Sequence, residues 1–238
     1  MHKVYIVGAG PGAPDLITVR GMDLLRQADV LIYAGSLVSS ALVEESRAGL
    51  KLDSWGMNLE EIVDTIEEHI RAGRVVVRLH SGDPALYGAI VEQMAELEKR
   101  GIEAEIVPGV SSLFAAAAAL KTQFTLRDVS EGLIITRPAG ITLKRDLIPE
   151  FSRLGQTMVI FLGTEQMEDV LAKVECPPDT PAAVVYHASW PDQKVIRGTV
   201  SDIADAARAA GIERTALIII GKVVDPANSG FGRSILYS

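Results

Sequence analysis

Short runs of β-branched and aliphatic residues alternate along this chain with stretches in which apolar residues recur every three to four positions. In the first half the runs are Val4 to Val7, Val30 to Tyr33, Val75 to Leu79 and Glu105 to Val107, and a helical pattern follows each. Parallel neighbours need a crossover, so this alternation predicts βαβ units on a mainly parallel sheet. The clearest helix begins at Asn58: Leu59, Ile62, Val63, Ile66 and Ile70 share one face, and Asn58 and Glu61 have capping-box spacing. A second helix is predicted from about Leu86 to Arg100, with Leu86, Ile90, Val91, Met94 and Leu97 as its stripe and Gly101 closing it.

The pattern is interrupted by a polar stretch from Thr125 to Gly132, after which strands are predicted at Leu133 to Thr136, Met158 to Leu162, Ala182 to Tyr186 and Ala216 to Ile220. A domain boundary placed there gives an N-terminal α/β domain over 1–127 and a C-terminal one over 128–238. Pro191, Asp192 and Gln193 punctuate a run that resumes at Val195 and Ile196, which predicts a hairpin between Trp190 and Arg197 and a mixed second sheet. The fold expected is therefore α/β with two domains, the first sheet mainly parallel, the second mixed, and a cofactor cleft between them.

With 238 residues, 48% of them hydrophobic, the chain can bury one large core or two modest ones. The longest apolar run, Leu113 to Leu120, is far short of the roughly 20 residues of a membrane span, and the start of the chain is too brief for a secretory signal. No membrane association and a cytoplasmic location are expected. Cys176 is the single cysteine, and His2, His69, His80 and His187 show no HxxxH or HExxH spacing, so neither a disulfide nor a metal ligand set is expected. A net charge of −8 disfavours an extended nucleic-acid footprint but leaves room for a small anionic substrate held by a local group of cations.

The first strand ends in Gly8-Ala9-Gly10-Pro11-Gly12-Ala13, which fits the GxGxx(G/A) dinucleotide fingerprint if a helix opens around Asp15 to Thr18. Two features count against that use. Pro11 and Pro14 each remove a backbone donor that a pyrophosphate would need, and the second strand runs Leu31-Ile32-Tyr33-Ala34-Gly35-Ser36 without the carboxylate expected for a ribose. The glycines equally suit a tight turn with no ligand at all.

Two further strand ends carry small residues. His80-Ser81-Gly82-Asp83-Pro84 precedes Ala85-Leu86-Tyr87-Gly88, and Pro108-Gly109-Val110-Ser111-Ser112 opens an alanine-rich helix over Ala115 to Ala119. Small residues at a strand's carboxyl end let a ligand approach the backbone, while Asp83 and Ser111 also suit helix caps. Taken in order, GAGPGAPDLITVRG, HSGDPALYG, VPGVSS and VVYHASWPDQ resemble the tetrapyrrole methylases, the class III S-adenosylmethionine-dependent methyltransferases, over nearly the whole chain. Within that family YAGSLVS, WGMNLEE and HASWPDQKVIRGTV look closest to the members that methylate C11 of precorrin-4 or its cobalt form.

The resemblance implies S-adenosylmethionine as methyl donor, S-adenosylhomocysteine as product, a tetrapyrrole acceptor in corrin biosynthesis, and a homodimer. It places cofactor contacts on Pro11, Ser81, Gly82, Asp83, Ser111 and Ser112, and, in the second domain, on Leu162, Ala188 and Ala216, with Tyr87 as a further contact to either ligand. No catalytic residue is assigned. The acceptor carries several carboxylates, for which Arg20, Arg78, Lys121, Arg127, Arg137, Lys144 and Arg145 are candidate partners. The competing possibilities are another acceptor within the same family, a dinucleotide-dependent oxidoreductase, and a noncatalytic nucleotide-binding module.

Overall fold

The apolar runs pair as two five-stranded sheets in a computed structural model that describes residues 3–233, so that His2 lies outside the described residues. The first sheet uses β1 (Lys3–Gly8), β2 (Val30–Tyr33), β3 (Leu50–Asp53), β4 (Val76–His80) and β5 (Glu103–Val107), all parallel, in the order β3-β2-β4-β1-β5. Connecting them are α1 (Val19–Gln27), α2 (Ser40–Glu45), α3 (Leu59–Arg71) and α4 (Ile90–Lys99). Side chains alternate across the pleat, and both faces are covered. Val7, Leu31, Val77 and Leu79 pack with Leu25 and Leu42, while Val4, Val30, Ile32 and Val76 pack with Ile62, Val63, Ile66 and Leu97.

The second sheet uses β6 (Leu133–Thr136), β7 (Thr157–Ile160), β8 (Pro181–Tyr186), β9 (Lys194–Thr199) and β10 (Ala216–Ile220) in the order β6-β7-β10-β8-β9. It is mixed, as expected: β6 and β7 are parallel, while β10 runs antiparallel to both β7 and β8, and β8 and β9 form the hairpin. One face packs on α7 (Met167–Ala172) and α8 (Ile203–Ala209), beside α6 (Ile148–Ser152). The other face takes α5 (Ser112–Leu120), whose Ala115 and Ala116 let the helix approach Val159, Val185 and Ile219 closely. No helix among the described residues is long and apolar enough to cross a membrane.

The chain divides into its two compact units between Ser112 and Leu113, at the first residue of α5 and fifteen residues before the position marked by the polar stretch. The polar residues there make internal bonds of the second unit. The buried Ser130 hydroxyl accepts from the Thr157 N–H at 2.7 Å and donates to the Gly132 carbonyl, while the Thr157 hydroxyl reaches the Phe124 carbonyl at 2.7 Å. Other local differences have equally local causes. The helix expected from Leu86 starts only at Ile90, because Tyr87 and Ala89 take positive φ and a Cβ at Gly88 would overlap the Pro84 carbonyl oxygen. β3 is a short, half-exposed edge strand, and its four residues carry too little periodicity to be read from sequence.

At α3 the capping box forms as its spacing predicts: Asn58 Oδ1 accepts from Glu61 N–H at 2.9 Å, and Glu61 Oε2 accepts from Asn58 N–H at 2.8 Å. Replacing Asn58 by alanine removes an acceptor for a helix N-terminal N–H, and urea unfolding should show a loss of about 0.5–2 kcal/mol.

Candidate functional site

β4, β1 and β5 are neighbours in the first sheet, and the three small-residue segments follow these strands at their carboxyl ends. The chain leaves β1 toward β2 on one side and leaves β4 toward β5 on the other, which makes this a topological switch point, where α/β sheets bind ligands. The loops are bonded to one another. Ala9 N–H donates to the His80 carbonyl at 2.7 Å, and Gly10 and Gly82 exchange backbone bonds of 3.2 and 2.8 Å. A Cβ on Gly8 would stand 2.5 Å from Gly109 Cα, and one on Gly109 would overlap the Gly82 carbonyl oxygen, so only glycine permits this approach.

Asp83 is the brace of the group. Its Oδ1 accepts from Ala85 N–H at 2.8 Å and its Oδ2 from Gly109 N–H at 2.9 Å, which ties the loop after β4 to the loop after β5. The carboxylate thus combines the turn-capping role with a tie across strands. Around it Pro11 and Ser111 are buried, Ser81, Gly82 and Ser112 are half-buried, and Tyr87 is exposed on the turn before α4 rather than within a helix. The structure brings Pro11, Ser81, Gly82, Asp83, Ser111 and Ser112 to one edge of the first sheet.

That edge does not have the form of a dinucleotide site. Gly10 and Gly12 take positive φ, a short 3-10 turn occupies Pro14–Leu16, and α1 begins only at Val19, capped by the Thr18 hydroxyl. The helix N-terminus on which a pyrophosphate would rest is not at the glycine turn.

Two buried polar side chains end β4. Arg78 is 4% exposed; its Nη1 makes only long bonds to the Ile32 and Leu79 carbonyls, at 3.4 and 3.5 Å, and its Nε has no partner. Burial pushes this guanidinium down to about 10, against the attraction of Asp53. His80 is 7% exposed with Nε2 unpartnered; burial, reinforced by the Arg78 charge, pushes its imidazole down to about 4, so it is neutral at pH 7.

In the second unit β6, β7 and β8 run in one direction, so Leu162 after β7, Ala188 after β8 and Ala216 at the start of β10 lie at the same end of three adjacent strands. Leu162 is exposed with φ 54°, whereas Ala188 and Ala216 are buried. Thr164 pins this edge, donating from Oγ1 to the Ala216 carbonyl at 3.0 Å and accepting from the Ala216 N–H at 3.2 Å. No local signal in the sequence marks Thr164, because its partner is 52 residues away. Beside it, Tyr186, His187 and Trp190 stack in series, with ring centroids 3.8 and 5.0 Å apart. His187 Nδ1 lies 3.0 Å from both Asp192 oxygens, and this bond holds the Asp192 carboxyl below its ordinary value.

Several of the candidate cations are engaged by other side chains. Arg20 pairs with Glu105, Arg127 with Asp128 and Arg145 with Glu150, while Arg137 bonds Thr142. Among the candidates of the first unit, Arg78 is the buried one.

Two consequences are measurable. Asp83→Ala leaves two backbone N–H groups without their acceptor and should lower stability to urea by about 1–3 kcal/mol. His80 titrates near 4 in the folded chain against 6.5 in its ordinary state, so between these values the unfolded chain holds more protons. Stability should therefore fall as the pH drops from about 6.5 toward 4, by up to roughly 3 kcal/mol, and His80→Gln should flatten that part of the profile of unfolding midpoint against pH.

Residues 3–204 match the family model of the Tetrapyrrole (Corrin/Porphyrin) Methylases. A protein of Methanocaldococcus jannaschii named cobalt-precorrin-4 C(11)-methyltransferase is 50% identical over 231 residues, covering 94% of this chain and 89% of that protein. A solved cobalt precorrin-4 methyltransferase, a cobalamin biosynthetic enzyme, has a TM-score of 0.91 at 46% identity, over 94% of this chain and 97% of that one. A uroporphyrin-III C-methyl transferase from Thermus thermophilus, complexed with S-adenyl homocysteine, has a TM-score of 0.77 at 28% identity, over 94% and 93% of the two chains. A family match that runs from β1 through β9, and a relative half identical across almost the whole length, establish that this chain belongs to the tetrapyrrole (corrin/porphyrin) methylases.

Proposed function

We propose that this chain transfers a methyl group from S-adenosylmethionine to C11 of precorrin-4 or cobalt-precorrin-4 in cobalamin biosynthesis. The observation that carries the proposal is the 50% identity, over 94% of the chain, to a protein named for that reaction. The donor assignment draws on the Thermus thermophilus relative with its S-adenyl homocysteine. It also suits the edge of the first sheet, where small residues follow three adjacent strands and the one carboxylate is turned onto backbone N–H groups.

In this proposal the donor contacts of the first unit are Pro11, Ser81, Gly82, Asp83, Ser111 and Ser112, with Tyr87 reaching either ligand from its exposed turn. Asp83 acts by holding the loops in place, since both of its oxygens already accept backbone bonds. Those of the second unit are Leu162, Ala188 and Ala216, and Ala216 contributes apolar surface because Thr164 takes its backbone groups. The same proposal carries a homodimeric assembly and a cytoplasmic setting.

The chemistry asks little of an acid or base. The methyl carbon leaves sulfur, which keeps the bonding pair; the macrocycle supplies the pair for the new carbon–carbon bond and afterwards releases a ring proton to solvent. Placement of the two reactants can supply about 7–11 kcal/mol of the barrier when the geometry is near attack. Charge on sulfur is dispersed as the bond breaks, which a water-poor setting favours.

Incubation of the purified chain with a carbon-13 methyl donor and either precorrin-4 or cobalt-precorrin-4 should add one methyl mass, with the label at C11 by NMR. Label at another ring carbon would move the chain to a different acceptor position, and no incorporation into either acceptor would remove the proposal.

A further inference from the structure

The carboxyl end of β3 carries a side chain that the fold does not use. Trp55 is 85% exposed, although an indole is among the side chains that gain most from leaving water. Its backbone is held firmly: Trp55 N–H donates to Asp53 Oδ1 at 2.9 Å, and the Ser54 N–H and hydroxyl both reach the Tyr33 carbonyl at 2.9 Å. Gly35, at φ 54°, lies beside the ring, so that a Cβ there would stand 3.5 Å from Trp55 Cε3. The capped start of α3 closes the segment three residues later. An exposed indole on a backbone held in this way is arranged to meet a partner at reduced entropic cost. Leu37, also exposed, extends the apolar surface from the end of β2.

The position and charge of this surface narrow the partner. β3 and β4 are separated only by β2, so Trp55 stands about 10 Å along the sheet edge from the loop after β4, a distance on the scale of a four-pyrrole ring. On β4 lies the buried Arg78, whose guanidinium reaches the Ile32 carbonyl on β2, is attracted by Asp53, the residue that holds the Trp55 N–H, and forms no close ion pair among the described residues. The neighbourhood thus combines a flat apolar face with a buried cation that is held by long carbonyl bonds and the attraction of Asp53 but forms no close ion pair among the described residues, which suits a flat, conjugated polycarboxylate.

We propose that Trp55 is the stacking platform for the tetrapyrrole acceptor, so that its indole face, supported by Gly35, helps to select the macrocycle the enzyme holds. This rests on the acceptor class given under the proposed function, and the test separates the two. Binding of uroporphyrin III, a stable tetrapyrrole polycarboxylate, and of precorrin-4 is followed by absorbance titration, binding of S-adenosylhomocysteine by calorimetry, and assembly by sedimentation. Trp55→Ala should weaken binding of the tetrapyrroles about tenfold, and Trp55→Phe should restore most of it. S-adenosylhomocysteine affinity, thermal midpoint and assembly should be unchanged in both variants.

Unchanged tetrapyrrole affinity in Trp55→Ala would overturn the platform, as would an equal loss of S-adenosylhomocysteine binding. A change in assembly would overturn it too, because the indole would then be covered by a second copy of the chain. Wild-type protein that binds tetrapyrroles through Trp55 but leaves precorrin-4 unmethylated would sink the C11 reaction and support the platform. Wild-type protein that binds neither tetrapyrrole would sink both.

Discussion

Everything at the ligand edge of the first sheet depends on how closely three backbones approach one another. Gly8 and Gly109 stand where any side chain would collide with a neighbouring strand end, Gly82 between them takes a positive φ, and the resulting contact is closed by the Gly10–Gly82 bonds and the Asp83 carboxylate. Glycines at such a junction lose more chain entropy on folding than other residues would. The paired N–H and C=O groups, and a carboxylate with both oxygens engaged, offset that loss and leave a rigid rim at the switch point. The same rim, with proline at position 11 and α1 displaced to Val19, presents no helix N-terminus to a pyrophosphate. One packing constraint therefore both builds the edge and removes the reading that the glycine pattern first suggests.

The polar groups behind the rim follow a consistent logic. β4 is buried on both faces, yet it carries Arg78 and His80, and the sheet tolerates them in different ways. His80 gives up its proton, while Arg78 keeps its charge with only long carbonyl bonds and the attraction of Asp53. Buried charge of this kind is expensive unless it is matched, and an anionic ligand near the edge is one way to match it. In the second unit the corresponding edge is held by an exchange between Thr164 and Ala216 and by the Tyr186, His187 and Trp190 stack tied to Asp192. Both edges rely on fixed geometry, as a methyl transfer driven by placement requires.

Most strands could be read in advance because buried strands of a two-faced sheet are runs of Val, Ile and Leu. Ala216–Ile220 is legible to the residue for that reason, and Leu133–Thr136, a half-buried edge strand, by its run of aliphatic residues. α3 was legible from its stripe and capping box, both of which are local. β3 escaped because an edge strand half in water has no such run, and the start of α4 was misplaced because the helical stripe extends backwards through a turn that positive φ angles break. What the polar stretch around Ser130 does is not legible in composition, because its hydroxyl bonds Thr157, twenty-seven residues later.

The sequence by itself determined the alternation of strands and helices, the mixed character of the second sheet, and the family, since these follow from periodicity and from short motifs whose meaning is local. The candidate segments were also visible, because glycine, proline and small residues at strand ends mark themselves. Only the tertiary structure decided what those residues do to each other. It turned Asp83 into a tie between loops, buried Arg78 on long carbonyl bonds with its Nε unpartnered, joined Thr164 to Ala216 and stood Trp55 out from the end of its sheet. The physical reason is that hydrogen bonding, burial and exposure are properties of neighbours, and here the decisive neighbours are brought together by strand order rather than by position along the chain.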